Sequence, residues 1–530
     1  MTHLAADFIR QCKQRKSRLK ISDSTGMEFT GRDLLTRTLV LRRLLRDHLL
    51  ESEEKHVGVL LPPSAGGVVV NMALALDHRI PVNLNYTVTS EVMNSCLKQA
   101  GIKRILTSQK FMDKMDFELD AEVVMLEGIR DKLTLGNKLT SAIQAALMPA
   151  SMLIQSLRLA DIQADDVATI IFTSGSTGEP KGVMLTYGNV ASNVEAIQQA
   201  VNLTPSDTLV GVLPFFHSFG YTVTLWSVMA LDIAGTYHFN PLDGKQIGKL
   251  IEKSKATLLL ATPTFLRSYL RRCTPEQMKS LEIVVAGAEK LPLELSNAFE
   301  EKFGTRPVEG YGTTELSPLV SVNIPPNRSS KGGVELKEGT VGRPVKGVSA
   351  KIVDLDSGED LGPNESGMLL ISGPNVMKGY LGREDLTQKV IKDGWYTTGD
   401  VAMIDDDGFI KITGRQSRFS KIGGEMVPHI QIEETLTQII GADEEEGLKA
   451  AVTAVPDAKK GERLIVIHTA IEQSPSELQA KLREAGLPNI YIPSADSFHE
   501  IAELPILGTG KLDLKGLQQL AAEIFGQTIE

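Results

Sequence analysis

Short, uninterrupted apolar segments alternate with longer helix-like segments through much of the chain. The pattern predicts a strand at 56–61, a helix at 65–77 and a strand at 80–84. Further along, it predicts a helix at 221–231 and strands at 208–213, 234–239, 256–261 and 281–286. Strands that are apolar along their whole length are typical of sheets covered by helices on both faces. The sequence therefore predicts an α/β fold.

The chain is too long for one ordinary domain, with 530 residues. Gly, Asp and Pro become frequent between about 340 and 413, which predicts a small β-subdomain. Beyond Gly414 a compact α/β unit is predicted, with strands at 449–455 and 463–470 and helices at 476–485 and 513–525. We therefore expect a large N-terminal domain, residues 1–414, made of two α/β subdomains plus the β-subdomain. A small mobile α/β C-terminal domain, residues 415–530, would follow a short polar hinge at 414–418.

Composition narrows the class of protein. The formal net charge of −10 and the pI near 5.6 argue against a general nucleic-acid-binding protein, which would carry a basic surface. The cysteines at 12, 96 and 273 have no C-x-x-C spacing, so free thiols in a reducing compartment are expected. The polar N-terminus does not resemble a signal peptide, and no apolar run reaches membrane-spanning length. A cytoplasmic location is therefore expected.

Residues 142–157 form one unusually apolar, methionine-containing segment. Pro149 interrupts it, and Lys138 and Arg158 border it. Two interpretations remain open. The segment is either a buried helix pair under a loop or a patch that makes peripheral contact with a membrane, at the inner face in the cell.

Residues 173–182, TSGSTGEPKG, follow the apolar run 167–172 directly. Glycines allow tight turns that bring backbone N–H donors toward one anion, and the hydroxyls and Lys181 add donors and charge. The alternative is a flexible linker, but linkers rarely follow a buried strand. The segment is not a Walker loop, because Pro180 replaces a required glycine and Gly182 replaces the Ser or Thr. We interpret it as a phosphate-binding loop of another kind.

Four further clusters combine tight turns with chemically useful side chains. They are residues 309–315 (EGYGTTE), 394–400 (GWYTTGD), 414–415 (GR) and 507–511 (LGTGK). Each cluster alone is weak evidence for a functional site, since Tyr311 could simply pack in the core, Asp400 could be an ordinary turn residue and Lys511 a solvated charge. All four clusters together, in this order after the phosphate loop, are specific evidence for one.

In this set the chain resembles the adenylate-forming superfamily of acyl-CoA synthetases, luciferases and nonribosomal adenylation domains, from about residue 25 to 525. Within it, residues 213–220, 284–291 and 418–427 resemble most closely the acyl-ACP synthetase portion of bifunctional 2-acylglycerophosphoethanolamine acyltransferase/acyl-ACP synthetases. The resemblance implies ATP and Mg²⁺ as cofactors. It also implies two half-reactions: a fatty acid of medium or long chain becomes acyl-AMP, and a thiol then displaces AMP.

The resemblance also implies roles for individual residues. The ATP site would comprise Thr173, Ser174, Gly175, Ser176, Thr177, Gly178, Lys181, Gly310, Tyr311, Gly312, Thr313, Asp400 and Arg415. Catalysis would involve Lys511, Glu315 (also the magnesium ligand), Thr314 and His217, with Arg415 and Arg418 at the hinge and His217, Phe219 and Gly287 in the acyl pocket. For His217 an ordinary core histidine is the alternative.

The identity of the thiol stays open at this stage. An acyl carrier protein is favoured over CoA, and a basic patch would suit either acceptor. The candidates for that patch are Arg418, Lys421, Lys459, Lys460 and Arg463. A non-catalytic nucleotide-binding relative is a further alternative, although binding alone would not need Lys511.

Overall fold

The computed structural model describes residues 3–129, 132–174, 179–329, 334–423, 425–441, 449–457, 459–505 and 512–526. The chain divides into two compact units. The larger comprises Met1–Lys351, Leu370–Thr398 and Ile404–Lys411, and the smaller comprises Ile352–Leu369, Gly399–Met403 and Ile412–Glu530. The domain boundary expected after Gly414 stays a prediction, as does mobility of the C-terminal domain.

Helices and strands alternate along most of the described chain. The α-helices are α1 Leu4–Gln14, α2 Gly31–His48, α3 Ala65–Leu76, α4 Ser90–Ala100, α5 Gln109–Met112, α6 Leu126–Ile129, α7 Leu135–Ala146, α8 Ala150–Ser156, α9 Tyr187–Ala200, α10 Ser227–Ala230, α11 Gly244–Ser254, α12 Pro263–Arg272, α13 Pro275–Met278, α14 Leu293–Phe303, α15 Glu384–Val390, α16 His429–Ile440, α17 Pro475–Glu484 and α18 Leu514–Phe525. The strands are β1 Leu19–Asp23, β2 Glu28–Thr30, β3 His56–Val59, β4 Ile80–Asn83, β5 Arg104–Thr107, β6 Glu122–Met125, β7 Val167–Ser174, β8 Pro180–Thr186, β9 Thr208–Gly211, β10 Ala234–Tyr237, β11 Leu258–Ala261, β12 Ile283–Ala286, β13 Val308–Gly312, β14 Leu319–Val322, β15 Arg343–Pro344, β16 Ser349–Val353, β17 Gly367–Ser372, β18 Gly379–Tyr380, β19 Ile391–Lys392, β20 Trp395–Ile404, β21 Ile410–Arg415, β22 Phe419–Ile422, β23 Glu425–Pro428, β24 Ala450–Asp457, β25 Gly461–His468 and β26 Phe498–Glu500.

A nine-stranded sheet forms the centre of the larger unit, in the order β15-β14-β13-β12-β11-β9-β10-β1-β2. From β13 to β1 the neighbours are parallel, and β2, β14 and β15 pair antiparallel at the two edges. The parallel strands β9 and β11 are buried along their whole length. Helices α11, α12 and α14 supply buried partners to this core, including Ile251, Tyr269 and Phe299. Burial on both faces explains the uninterrupted apolar strands.

A second, four-stranded sheet is wholly parallel, in the order β4-β3-β5-β6. Helices α2, α3 and α4 contribute to its cores. A separate three-stranded antiparallel sheet, β18-β8-β7, carries the segment on either side of the glycine loop. The expected division of the N-terminal part into two α/β subdomains stays a prediction.

The smaller unit has an antiparallel sheet of its own. Its order is β23-β22-β25-β24, with β26 parallel to β25. One core packs α16 and α17 against the sheet, and another packs α18 against it. The expected fold class is therefore confirmed: a mixed α/β protein with a large N-terminal domain and a smaller C-terminal one.

Two local features differ from simple expectation. The helix predicted at 221–231 is a π-helix, Phe219–Trp226, continued by α10. The segment 142–157 does form a helix pair, α7 and α8, but Ile143, Leu147 and Met152 are exposed, so it is only partly buried. No helix in the described ranges has the length and apolar character needed to cross a membrane. The three cysteines are buried free thiols.

Candidate active site

A tight turn follows β13, the last parallel strand of the large sheet. Gly310, Tyr311 and Gly312 end this strand, and its register against β14 shifts between Tyr311 and Gly312. A Cβ at Gly312 would lie 1.8 Å from the carbonyl oxygen of Pro318, so only glycine fits there. Thr313 then precedes the 3₁₀ turn Thr314–Leu316, which ends at Ser317 in the left-handed conformation, with φ of 72°. The turn presents Thr314 and Glu315.

Buried hydrogen bonds hold this turn in place. The side chain of Asn375 donates to the carbonyl of Leu316 at 3.1 Å, and Ser317 Oγ donates to the carbonyl of Asn375 at 2.9 Å. The backbone N–H of Met377 donates to the carbonyl of Glu315 at 2.8 Å. Such paired contacts fix the direction of the side chains that the turn carries. The segment 375–377 thus acts as a support for Glu315.

The carboxylate of Glu315 contacts a phenol from another sheet, and a lysine of that sheet lies next to the phenol ring. Tyr380 Oη donates to Glu315 Oε1 at 2.8 Å, and Lys181 Nζ lies 5.4 Å from the centre of the Tyr380 ring. Burial, and then the negative charge of Glu315, raise the pKa of Tyr380 and of the buried Tyr396. Both phenols therefore stay protonated and can donate at neutral pH. Among the described residues, no three His, Cys, Asp or Glu side chains are grouped so that they could hold a metal ion.

The glycine loop joins two strands of a β-hairpin. Strands β7 and β8 pair in antiparallel register, with Thr173 opposite Lys181 and Ser174 opposite Pro180. Tyr380 pairs with Val183 on the other side of β8, which places its ring near Lys181. The remaining predicted loop residues, Gly175, Ser176, Thr177 and Gly178, lie outside the described residues, as does Lys511.

Thr314 contacts the start of the π-helix. Ser218 Oγ donates to Thr314 Oγ1 at 3.3 Å, and the next residue, Phe219, begins the π-helix. The Phe219 ring packs against the backbone of Gly287, where a Cβ would lie 3.0 Å from Phe219 Cε1. Single π-helical segments inside helices are frequent at functional sites. Two predicted acyl-pocket residues, Phe219 and Gly287, are therefore in contact.

His217 is exposed next to an aromatic cluster. Its ring centre lies 4.6 Å from that of Phe216, and Tyr86 packs edge-on to Phe216 at 4.8 Å. The side chain is not buried, so the alternative of an ordinary core histidine does not describe its position. Its catalytic role stays a prediction.

Asp400 and Arg415 belong to the smaller unit and form an ion pair there. Arg415 Nε lies 2.9 Å from Asp400 Oδ1, and the carboxylate is buried while 64% of the arginine side chain is exposed. The exposed guanidinium still has donors that face solvent. The expected ribose and phosphate contacts of this pair stay predictions.

Arg418, the second hinge candidate, is buried in the smaller unit. Its guanidinium contacts the Glu433 carboxylate and donates to the carbonyl of Val452 at 3.3 Å. Glu433 also accepts from the N–H of Val452 at 2.6 Å, so the 3₁₀ turn Gln416–Arg418, β24 and α16 meet at this pair. Arg418 is therefore not available to an exposed basic patch, which was one of its expected roles.

The structure brings together part of the predicted site and adds residues that the sequence did not indicate. Glu315, Thr314, Lys181, Phe219 and Gly287 converge through direct contacts or a single intervening side chain. Tyr380 and Asn375 lie outside the motifs quoted from the sequence, and Tyr396 and Ser218 lie inside them without a predicted role. Ser218 adjoins His217, so proximity in sequence could have found it. No local signal marks Tyr380, because its pairing with β8 spans almost 200 positions.

Comparison with known proteins identifies similar chains. A family model described as AMP-binding enzyme matches residues 8–381. A long-chain-fatty-acid–CoA ligase of Bacillus subtilis (strain 168) is 28% identical over 534 aligned residues, covering 94% of this chain and 91% of the relative. A feruloyl-CoA synthase of an Amycolatopsis species is 31% identical over 357 residues, covering 66% of this chain and 69% of the relative.

Solved structures match nearly the whole chain in fold. The O-succinylbenzoate coenzyme A synthetase of Bacillus subtilis, solved with ATP and magnesium ion, gives a TM-score of 0.78 at 24% identity and covers 96% of this chain and 99% of its own. MatB from Rhodopseudomonas palustris, solved with ATP, gives a TM-score of 0.78 at 24% identity and covers 99% of this chain and 100% of its own.

Proposed function

Since the chain belongs to the AMP-binding enzyme family, we propose that it activates a fatty acid with ATP and transfers the acyl group to a thiol. In the first half-reaction the fatty-acid carboxylate attacks the α-phosphorus of ATP, which gives acyl-AMP and pyrophosphate. In the second, a thiol attacks the acyl carbon, and AMP leaves as the thioester forms. The enzyme is then an AMP-forming acid–thiol ligase.

One observation carries this proposal: the junction of Glu315, Tyr380 and Lys181. The phenol oxygen of Tyr380 lies 2.8 Å from the carboxylate of Glu315, and the ammonium group of Lys181 lies 5.4 Å from the centre of the Tyr380 ring. Glu315 follows a strand of the large sheet, whereas Tyr380 and Lys181 belong to the three-stranded sheet. Attack of one anion on another requires preorganised positive charge and donors. Lys181, at the base of the glycine loop, supplies the charge, and the hydroxyl of Thr314 lies on the same turn as Glu315.

The turn also suits the metal that such a reaction uses. Glu315 is half-buried and presents a carboxylate, the oxygen ligand that Mg²⁺ prefers, and the Tyr380 hydrogen bond orients it. Magnesium usually binds through one or two carboxylates together with substrate phosphates, so one carboxylate is a fitting donor. Bound Mg²⁺ would neutralise phosphate charge. A structural neighbour solved with ATP and magnesium ion supports this assignment.

The other predicted residues would have further roles in the same reaction. Tyr311 would pack against adenine, Asp400 would accept from the ribose hydroxyls, and Arg415 would add a ribose or phosphate contact. His217 would border the carboxylate end of the acyl site. Lys511 would bridge the fatty-acid carboxylate and the α-phosphate during adenylation.

The acyl substrate is proposed to be a fatty acid of medium or long chain. Phe219 lies against Gly287, and the neighbouring Phe215, Val223 and Trp226 are apolar and buried. The Bacillus subtilis relative named for long-chain fatty acids supports the same class. Such acids partition into lipid, so peripheral contact with a membrane would suit the reaction.

CoA is the better supported thiol. Several similar chains are named as CoA ligases or synthases. The basic patch, which would suit either acceptor, is reduced, because Arg418 is buried, Lys421 pairs with Asp356 at 2.7 Å and Arg463 lies 3.5 Å from Asp496. Lys459 and Lys460 are exposed, so acyl carrier protein stays the second candidate.

Fatty-acid-dependent exchange of labelled pyrophosphate into ATP tests the first half-reaction. We expect exchange with Mg²⁺ and a fatty acid, and none when either is omitted. Thioester formation is then measured with CoA and with holo-acyl carrier protein in parallel. Exchange at background with every acid tried would overturn the activation, whereas exchange without either thioester would overturn only the acceptors.

A further inference from the structure

Helix α7 carries an apolar stripe on its exposed face. Leu135, Leu139, Ile143 and Leu147 recur every four residues and are 83%, 64%, 48% and 77% exposed. Met152 on α8 is 55% exposed. These are five of the ten exposed large apolar side chains in the described part of the chain. Contiguous exposed apolar residues of this kind mark interaction surfaces.

The stripe cannot turn inward, because the other face of α7 is already packed. Ser141 and Ala145 are buried on that face. Lys13 Nζ donates to the carbonyls of Gln144, Ala145 and Met148 at 2.8, 2.7 and 2.6 Å, which caps the C-terminal end of the helix. A lysine at a helix C-terminus also interacts favourably with the helix dipole. The helix is thus fixed with its apolar side outward.

Basic residues border the stripe. Residues 132–160 contain no Asp or Glu, whereas Lys132, Lys138 and Arg158 are present and exposed, and Arg158 pairs with Asp161 at 2.7 Å. An apolar helix face bordered by Lys and Arg is typical of a helix that lies in the plane of an anionic membrane surface. A symmetric contact between two copies would bring the basic border of one against that of the other. The charge pattern therefore favours lipid over self-association.

An arginine-lined pocket lies between α2 and the two helices of the stripe. Arg42, Arg43 and Arg46 contribute to it from α2, and Gln144 and Ser156 from α7 and α8. Arg43 donates to the side chain of Gln144 at 2.8 Å, which ties the pocket to α7. Guanidinium groups match the geometry of a phosphate. Arg42 also pairs with Asp77 at 3.2 Å and Arg46 with Asp47 at 2.9 Å, so a phosphate bound here would share these guanidinium groups with two carboxylates.

We propose that α7 and α8 dock the protein on an anionic lipid surface. The stripe of Leu135, Leu139, Ile143, Leu147 and Met152 enters the interface, and the arginine pocket takes a lipid phosphate headgroup. This proposal concerns where the protein lies and does not depend on the reaction that it catalyses. It also specifies which side of the helix pair makes the contact.

Vesicle flotation of the full chain tests the proposal. Phosphatidylcholine vesicles are compared with vesicles that also contain phosphatidylglycerol. We expect binding to the anionic vesicles, weakened by salt, and little binding to the neutral ones. In L139S/I143S the partition coefficient for anionic vesicles should fall at least about tenfold, because two apolar side chains leave the interface. Arg46→Gln should also weaken anionic binding and reduce its salt dependence.

Leu293→Ser provides the matched control, because Leu293 is 54% exposed on α14, outside the stripe. It should bind vesicles like the wild type. All variants change exposed or pocket residues, and thermal unfolding verifies that each is folded. Absence of wild-type binding to anionic vesicles would overturn the proposal. The proposal would also be overturned if sedimentation velocity showed that the wild type is a dimer and that L139S/I143S is a monomer, while the two proteins bound vesicles equally.

Discussion

At the scale of single residues, substitutions of Glu315 and Tyr380 distinguish the contribution of the carboxylate charge from that of the hydrogen bond that orients it. In Glu315→Gln the side chain keeps its size but loses the charge, so we expect pyrophosphate exchange to fall about 100- to 1000-fold, as for other preorganised charges. Tyr380→Phe keeps the ring beside Lys181 and removes the hydrogen bond to Glu315, so a loss of about tenfold is expected. Exchange rates across a magnesium titration provide the measurement. A Glu315→Gln protein with the wild-type rate at limiting magnesium would contradict the assignment.

A substitution at Gly312 tests whether the turn that carries Glu315 requires glycine at this position. A Cβ at this position would lie 1.8 Å from the carbonyl oxygen of Pro318, which belongs to backbone and cannot move aside. We expect Gly312→Ala to reduce the free energy of unfolding by about 2 to 4 kcal/mol. Gly128→Ala is the control, because a Cβ there meets no atom within 4 Å, and it should stay within about 1 kcal/mol of the wild type. Urea denaturation compares the two, and equal stability would show that the turn can relax.

At the scale of elements, a buried histidine joins β22 to the start of α16. His429 Nε2 lies 2.6 Å from Ser420 Oγ, and burial, then the charge of Arg418, lower its pKa to about 3. The unfolded chain therefore binds one more proton between pH 3 and the ordinary value of 6.5, so the free energy of unfolding falls as the pH drops through this window. At pH 5.5 the loss relative to pH 8 should be about 1.4 kcal/mol from this group.

His429→Gln isolates that contribution, since an amide can keep a hydrogen bond to Ser420 without titrating. The difference in free energy of unfolding between variant and wild type should change with pH between 8 and 5 in favour of the variant. Denaturant unfolding followed in the smaller unit provides the values. A difference that is constant over this range would mean that His429 titrates with the same pKa in the folded and the unfolded chain.

The elements also show which parts of the fold the sequence can predict. Strands such as β3, β11 and β12 were located to within two or three residues, because burial on both faces leaves a continuous apolar run. The π-helix at 219–226 was not foreseen, because its apolar residues look the same in an α-helix and only the hydrogen-bond register differs. The pairing of β18 with β8 was also missed, since two residues leave no periodic pattern. Tyr380 entered the site through that pairing.

At the scale of the whole molecule, the motifs fall in two units with separate cores. Glu315, Lys181 and Tyr380 belong to the larger unit, and the Asp400–Arg415 ion pair belongs to the smaller. The order of motifs predicts that one reaction uses residues of both units. It could not indicate how each unit is built, since partners such as Arg418 and Glu433 become evident only when the 3₁₀ turn Gln416–Arg418 packs against α16.

A substitution of Lys511 tests the two half-reactions separately. If it neutralises charge only while the carboxylate attacks the α-phosphate, Lys511→Ala should lower pyrophosphate exchange about 100- to 1000-fold. Thioester formation from added acyl-AMP should remain near the wild-type rate, because that step no longer joins two anions. Lys515→Ala, an exposed lysine on the first turn of α18, is the matched control and should alter neither step. An equal loss of both steps in Lys511→Ala would show that the lysine serves the site as a whole, whereas an unchanged exchange rate would remove it from adenylation.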